Sequence, residues 1–366
     1  MKLLLFADLH LDTPFRWAAP EVARRRRQGL RDTLGAIVDL AAVEGVDAVC
    51  CAGDLYEHDM VAPDTAEVLR RAFGRLAPMP VFLAPGNHDW LSPAGTYLQT
   101  DWSPNVRLFT DDRLTPIPLE DGFTIWGGAH RVPANTAGFL EGFRTDRGGT
   151  NVGLFHGSLR SVLADQGGGK QPHAPFDTAD VLRSGLDHAL VGHFHTPHAG
   201  ALHTYPGNPA PLTFGETGER GAVVLTFDED GSAPRREWHQ VSRLDVHDVT
   251  IDVGGASSLE VVRESVREAL GPLSGAVRAT LVGDVGQRVS FSSSDLEGTA
   301  DHLEAVVYRL DHVGVGFEID SLVDEPTVRG QFVRDVLAAT LDQQRRGRVL
   351  TIGLRALAGR SDLGVH

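Results

Sequence analysis

Thiols are almost missing from this chain: among 366 residues there are two cysteines, Cys50 and Cys51, side by side in an apolar run. Neighbours on a strand point to opposite faces, so these two do not suit a structural disulfide and read as small buried hydrophobes. That accords with a reducing compartment. Long apolar runs are missing too. The N-terminal one stops at Asp8 and has no cleavage region, so it does not read as a secretory signal. No run approaches the ~20 residues of a membrane helix. The expectation is a soluble cytoplasmic protein with no membrane partner. Positive charge is also in deficit, with 34 Lys and Arg against 49 Asp and Glu and a formal net charge of -15. This argues against nucleic-acid binding through overall basicity. It leaves room for a local site in which bound metal ions reverse the sign.

What is present is an ordinary globular composition, 42% hydrophobic and 23% charged, on a chain long enough for two domains. Residues 2–7, 46–52 and 81–83 read as buried strands, and 21–43 and 65–76 as helices between them. Gly45 is a stop signal for the first helix. Further strands are expected at 123–126, 152–155 and 188–191, and a hairpin near Asp230-Gly231 joins 223–227 to 235–241. This order predicts a layered α/β core of sheets flanked by helices over 1–242. Beyond it, histidines drop from 12 to four. Strands at 249–253, 277–282 and 313–319 and capping boxes at Ser257-Ser258-Leu259-Glu260 and Ser294-Asp295-Leu296-Glu297 predict a small α+β capping domain over 243–325. A C-terminal helical segment over 326–366 follows, broken at Arg345-Arg346-Gly347-Arg348. Gly167 to Gly169 marks a loop.

Five short polar segments each follow an apolar run: Asp8-Leu9-His10, Gly53-Asp54, Gly86-Asn87-His88-Asp89, His156-Gly157 and Gly192-His193-Phe194-His195. In an open α/β sheet the carboxyl ends of strands form the ligand-binding edge, so the five would converge. Singly, Asp-x-His or Gly-Asp says little. Gly-Asn-His-Asp is more specific, because its polar groups have no core role, and Gly-His-x-His sets two imidazoles on one side of an extended segment. Oxygen and imidazole ligands without thiolate suit manganese, iron or zinc better than calcium. The ligands suffice for two ions, with Asp54 as the candidate bridge. Glycines at the strand ends permit tight turns and close backbone approach.

The set Asp8-x-His10, Gly53-Asp54, Gly86-Asn87-His88-Asp89, His156 and Gly192-His193-x-His195 resembles the calcineurin-like metallophosphoesterase superfamily over residues 1–220. Within it, three stretches resemble the DNA-repair exonucleases related to the SbcD nuclease subunit. They are residues 8–15, Ala52-Gly53-Asp54-Leu55-Tyr56, and Tyr205-Pro206-Gly207-Asn208-Pro209 with Phe214-Gly215-Glu216-Thr217-Gly218. The resemblance implies that Asp8, His10, Asp54 and His195 hold one divalent ion and Asp54, Asn87, His156 and His193 the other. Manganese is the first choice, with iron, zinc or magnesium as alternatives. It implies that His88 stands beside the scissile phosphate and that Asp89 orients His88. It further implies DNA as substrate, cut 3′ to 5′ or within single strands, a capping domain that selects DNA, C-terminal helices that dock on an SbcC-like coiled-coil ATPase, and a homodimer.

Candidate DNA contacts are Phe15, Arg16 and Trp17, the aromatics being able to stack on an unpaired base, and His173 in the loop after the glycines. Arg24 to Arg27 is the strongest basic cluster, but four consecutive helical arginines cannot all face one ligand, and a solvated face is the better reading. His58, His130, His198 and His203 stand as lesser candidates. The alternatives are a small-molecule phosphodiesterase or phosphatase on the same scaffold, which the acidic charge favours, and a non-catalytic scaffold for an ATPase, which the complete motif set disfavours.

Overall fold

The N-terminal apolar run forms β1 (Lys2–Phe6), which α1 (Pro20–Glu44) connects to β2 (Ala48–Cys51). Gly45 ends α1 in the left-handed conformation, its N–H bonded to Ala41. α2 (Thr65–Gly74) leads to β3 (Val81–Leu83), and past the short α3 (Thr96–Gln99) comes β4 (Val106–Leu108). A second group follows: β5 (Thr115–Glu120), β6 (Phe123–Gly127), β7 (Thr150–His156), α4 (Thr178–Ser184), β8 (His188–Gly192), β9 (His198–Ala199) and β10 (His203–Tyr205). The chain then returns to the first sheet with β11 (Ala222–Thr226) and β12 (Arg235–His239). These positions come from a computed structural model, which describes residues 1–134, 136–163, 172–228, 231–317, 319–357 and 359. The glycine run 167–169 and Asp230 of the expected hairpin lie outside the described residues.

Two six-stranded sheets result, ordered β12-β11-β1-β2-β3-β4 and β5-β6-β7-β8-β10-β9. The alternation of strand side chains builds the layers. Leu3, Leu5 and Cys50 from the first sheet pack with Ile125, Val152, Leu154 and Leu190 from the second. Leu4, Phe6 and Cys51 turn the other way, onto Leu30, Leu34 and Ile37 of α1 and Leu69 of α2. On the far side of the second sheet, Trp126, Phe155 and Val191 pack against Val181 of α4. Cys50 and Cys51 thus enter different cores and are both free thiols. The fold is the expected α/β class, sheets flanked by helices.

Residues Met1–Asp245 and Val246–His366 form two compact units. In the second, β13 (Val246–Asp252), β14 (Ala276–Val285) and β15 (Ala305–Val315) make a parallel sheet, with α5 (Leu259–Leu270) crossing between the first two. The Ser258 hydroxyl caps α5 by accepting from Val261. The second expected capping box opens no α-helix: Ser292 and Asp295 cap a single tight turn, Ser293–Leu296. The last strand lies earlier than the expected 313–319, because its run 305–315 pairs along the length of β14 and Gly316 follows. α6 (Ile319–Val323), α7 (Val328–Ala338) and α8 (Gln343–Leu357) complete the chain. α8 runs through Arg345 to Arg348, since one glycine costs a helix only about 1 kcal/mol, and the helices are broken before Gln343 instead. No helix of the described residues is long and apolar enough to cross a membrane.

Candidate metal centre

The register of both sheets brings the polar segments to one edge. Phe6 pairs with Cys51 and Cys51 with Leu83, so β1, β2 and β3 end level and release Asp8, Asp54 and Asn87 together. His156 pairs with Gly192, so β7 and β8 also end level, just before His193. The backbone there is strained: Asp8, His10, Asp54 and His193 adopt positive φ of 55, 49, 52 and 107°. Such residues cost about 1–3 kcal/mol each and persist only where their surroundings over-determine them. Here the amides of Asp8 and His10 donate to the carbonyls of Gly53 and Asp54, at 3.0 and 2.9 Å. The amides of His193 and His88 donate to the carboxylates of Asp8 and Asp54, at 3.1 and 2.8 Å. A Cβ on Gly53 would meet the Gly86 Cα at 2.8 Å, so the β2 and β3 turns approach this closely only with glycine there.

Three imidazoles share one arrangement. The Nδ1 of His10 meets Glu57 Oε1 at 2.8 Å, that of His195 meets Glu216 Oε1 at 2.7 Å, and that of His156 meets the Ala52 carbonyl at 2.8 Å. An acceptor at Nδ1 places the proton there and leaves the Nε2 lone pair for another partner. All three Nε2 atoms point into one space. His10 Nε2 lies 3.2 Å from His195 Nε2, and His156 Nε2 lies 3.1 Å from Asn87 Oδ1. Asp54 Oδ2 stands between, 3.7 Å from His10 Nε2 and 3.2 Å from His156 Nε2. Ligand atoms of Asp8, His10 and His195 lie within 4.8 Å of one another, as do those of Asp8, Asp54 and His156. Lone pairs converging on shared carboxylates, each imidazole held from behind by an oxygen, fit two adjacent divalent cations.

Without cations the cluster holds its charge balance with protons. Burial opposes charge on His10, but the Glu57 hydrogen bond and the charges of Asp54, Glu57 and Asp8 outweigh it and raise the ring to about 9. Burial is likewise overcome at His156, where Asp54 and Asp8 raise the ring to about 9. Burial pushes Asp54 up, yet His156 and His10 hold it well below the usual carboxylate range. Glu57 is pushed up by burial and brought down to about 2 by its two histidine partners. His193 is kept well below its ordinary value, first by burial and then by His156, so its ring is neutral. The protons on His10 and His156 stand where a cation's charge would otherwise serve.

The model of the calcineurin-like phosphoesterase family matches residues 1–197. The chain belongs to this family. Its members are hydrolytic enzymes with a dinuclear metal site, which is the role the converging lone pairs support. The chain is 29% identical to the uncharacterized metallophosphoesterase YhaO of Bacillus subtilis over 239 residues, 60% of this chain and 55% of that protein, and so spans about half of its length. It is 28% identical to the DNA double-strand break repair protein Mre11 of Aeropyrum pernix over 295 residues, 74% of this chain and 68% of that one. It is 27% identical to a UDP-2,3-diacylglucosamine hydrolase of Xanthomonas campestris pv. campestris over 262 residues, 64% of this chain and 98% of that one.

In this calcineurin-like phosphoesterase, Asp89 does not orient His88. Its buried carboxylate accepts from the amides of Asp54, Leu55 and Gly86 and from the Tyr97 hydroxyl, which ties the β2 and β3 turns together. The partner of His88 is Glu57, whose Oε2 lies 3.0 Å from His88 Nδ1. Of the expected DNA contacts, Phe15 is 2% exposed and cannot stack on a base. Trp17 is half-buried, donates to the Leu212 carbonyl at 3.0 Å and packs on Phe214. Arg16 is exposed, and His173 is half-buried, its ring 5.3 Å from that of His193. In the arginine run, Arg26 is buried against Phe15 and Trp17 and donates to the Asp245 carbonyl, while Arg24 and Arg25 pair with Glu21. His130 backs the cluster by donating to the His156 carbonyl at 2.7 Å. His198 and His203 stack on each other, and His58 lies tilted against Trp90.

Two carboxylates outside the five polar segments, Glu57 and Glu216, complete the site. Glu216 holds His195 and also accepts from Asn208 and the Leu212 amide. Glu57 grips His10 and His88 at once. Glu57→Gln should therefore weaken metal binding on the order of 10- to 100-fold, measured by titration with Mn2+. In the metal-free protein the His10 titration, followed by NMR, should fall below about 9, because the negative charge that helps retain its proton is gone. Unchanged metal affinity would show that His10 needs no such support.

Proposed function

We propose that this phosphoesterase is a two-metal-dependent DNA nuclease of DNA repair, working from 3′ ends and able to cut single strands, in the cytoplasm. The observation that carries the reading is the extent of the Mre11 similarity. It covers 74% of this chain, more than the unit Met1–Asp245 amounts to, and so runs into the second unit. The family model ends at residue 197 and cannot account for that extension. Two divalent ions, with manganese preferred over iron, zinc or magnesium, would activate water and neutralise phosphate oxygens when bound. Asp8, His10, Asp54 and His195 would hold one, and Asp54, Asn87, His156 and His193 the other. His88, half-exposed at the edge of the cluster, would donate a proton to the leaving oxygen while Glu57 fixes its ring. The unit from Val246 would serve as a capping domain, its helices would dock on a coiled-coil ATPase, and the chain would pair with a second copy.

A second reading, hydrolysis of a small phosphodiester, is favoured by the formal charge of -15 and by similarity to a UDP-2,3-diacylglucosamine hydrolase. End-labelled single- and double-stranded DNA with Mn2+, run beside bis(p-nitrophenyl) phosphate, separates the two. Degradation of labelled DNA supports the nuclease. Hydrolysis of the small diester by a preparation that leaves DNA intact would move the assignment to the second reading.

A further inference from the structure

Many arginines of this acidic chain are paired with carboxylates: Arg31 pairs with Asp64, Arg75 with Asp39 and Arg160 with Asp177. Arg113, Arg131 and Arg144 are gathered in one place. All three are exposed, none forms an ion pair among the described residues, and all line a single cleft of about 810 Å³ in the phosphoesterase unit. Asp112 and Glu141 line it as well, so the cleft is cationic by a small margin in a chain that is strongly anionic. Its floor is aromatic: Phe139 is buried, and Phe143 is half-buried with its ring edge-on to Trp126 at 5.2 Å.

A chain of hydrogen bonds links the cleft to the metal centre. Thr136 lines it, and the Thr136 hydroxyl lies 2.7 Å from Nδ1 of His130, whose other nitrogen donates to the His156 carbonyl. The Thr136 carbonyl accepts from Ala174, the neighbour of His173, whose ring faces His193. Thr136 thus joins the cleft, through His130, to the backbone of the candidate ligand His156.

We propose that this cleft carries the backbone of a single-stranded nucleic acid toward the metal centre, an inference that rests on the nuclease reading. Guanidinium groups without carboxylate partners are free to take phosphates in bidentate pairs, and a part-exposed aromatic ring offers a base a stacking face that is indifferent to sequence. Free arginines beside an aromatic ring suit a strand with unpaired bases better than a small diester, which presents a single phosphate.

The test measures binding of a fluorescently labelled single-stranded oligonucleotide with Mn2+ by anisotropy over a salt series, in a His88→Ala background that leaves the strand uncut. Adding Arg113→Ala, Arg131→Ala and Arg144→Ala together should weaken binding at least about tenfold near 0.1 M salt and make the slope of log K against log salt shallower by about 2. Phe143→Ala should weaken binding without changing the slope. Melting temperatures close to the parent would show that the surface changes leave the fold intact. Parental binding that the triple variant reproduces in both affinity and slope would overturn the cleft assignment and leave the nuclease reading standing. A parent that binds no oligonucleotide at any salt would overturn both.

Discussion

His88→Ala should lower kcat on a phosphodiester by about 10²- to 10⁴-fold while the protein keeps its metal. The separation follows from geometry. The His88 side chain is 48% exposed, whereas the imidazoles of His10 and His156 are 2% and 0% exposed. Its backbone amide, which holds the Asp54 carboxylate at 2.8 Å, survives the substitution. What is lost is a ring held by Glu57 and set edge-on to His10 at 4.8 Å. The Glu57 hydrogen bond outweighs burial and raises His88 above its ordinary value, which extends the pH range over which the ring keeps the proton it would donate. As pH rises through the His88 titration the donor is lost, and wild-type kcat should fall on that alkaline side. The variant should lack that limb. KM should change little, and kcat/KM should fall in parallel with kcat, because the interaction belongs to the transition state. The check is steady-state kinetics on bis(p-nitrophenyl) phosphate with metal content measured on the same samples. His10, Glu57 and His88 also lie close enough together to hold a cation. Loss of about one metal equivalent in the variant would make His88 a ligand and remove it as the acid.

The positions in the metal cluster were legible because each follows a buried strand and carries a side chain that a core does not use. The strand pattern in turn followed from apolar runs at 3–7, 48–52 and 81–83, whose hydrophobicity reflects burial on both faces. Weaker patterns hid other elements. β5 contains Pro116 and Pro118, which argue against a strand, but it is the edge of its sheet, where the missing N–H groups cost little. β4 and β10 have three residues each, too few for a period to show. In the site, Glu57 and Asp89 mark the limit of local reasoning. A carboxylate next to a histidine in sequence looks like its partner. Yet Asp89 turns inward to three amides and a tyrosine, and the histidine turns outward to a glutamate 31 residues earlier. The choice between the two depends on how the β2 and β3 turns meet, which no short motif records. Phe15 shows the same limit: between the metal motif and the arginine run it could stack on a base or pack, and it packs in the core.

The role of Asp89 leads to the second large effect. Asp89→Ala should destabilise the phosphoesterase unit by about 4 kcal/mol, a sizeable part of the roughly 5–15 kcal/mol that a domain has. The carboxylate is fully buried and accepts four hydrogen bonds. They come from Asp54 N at 3.1 Å and Gly86 N at 2.6 Å on one oxygen, and from Leu55 N at 2.7 Å and the Tyr97 hydroxyl at 2.6 Å on the other. Alanine leaves these donors buried and unpaired, each worth about 1–3 kcal/mol, with partial relaxation keeping the sum below the arithmetic total. Asp89→Asn should cost about half as much. Its carbonyl can still serve Asp54 and Gly86, but its amide faces the Leu55 N–H, which is also a donor. Because the lost bonds also hold Asp54 at its strained φ of 52°, metal affinity should fall with stability. Urea unfolding of metal-free protein reads the first quantity as a lower midpoint at unchanged slope, and Mn2+ titration reads the second. If Asp89 acted by orienting His88, alanine would instead leave stability and metal binding at wild-type levels and depress kcat alone.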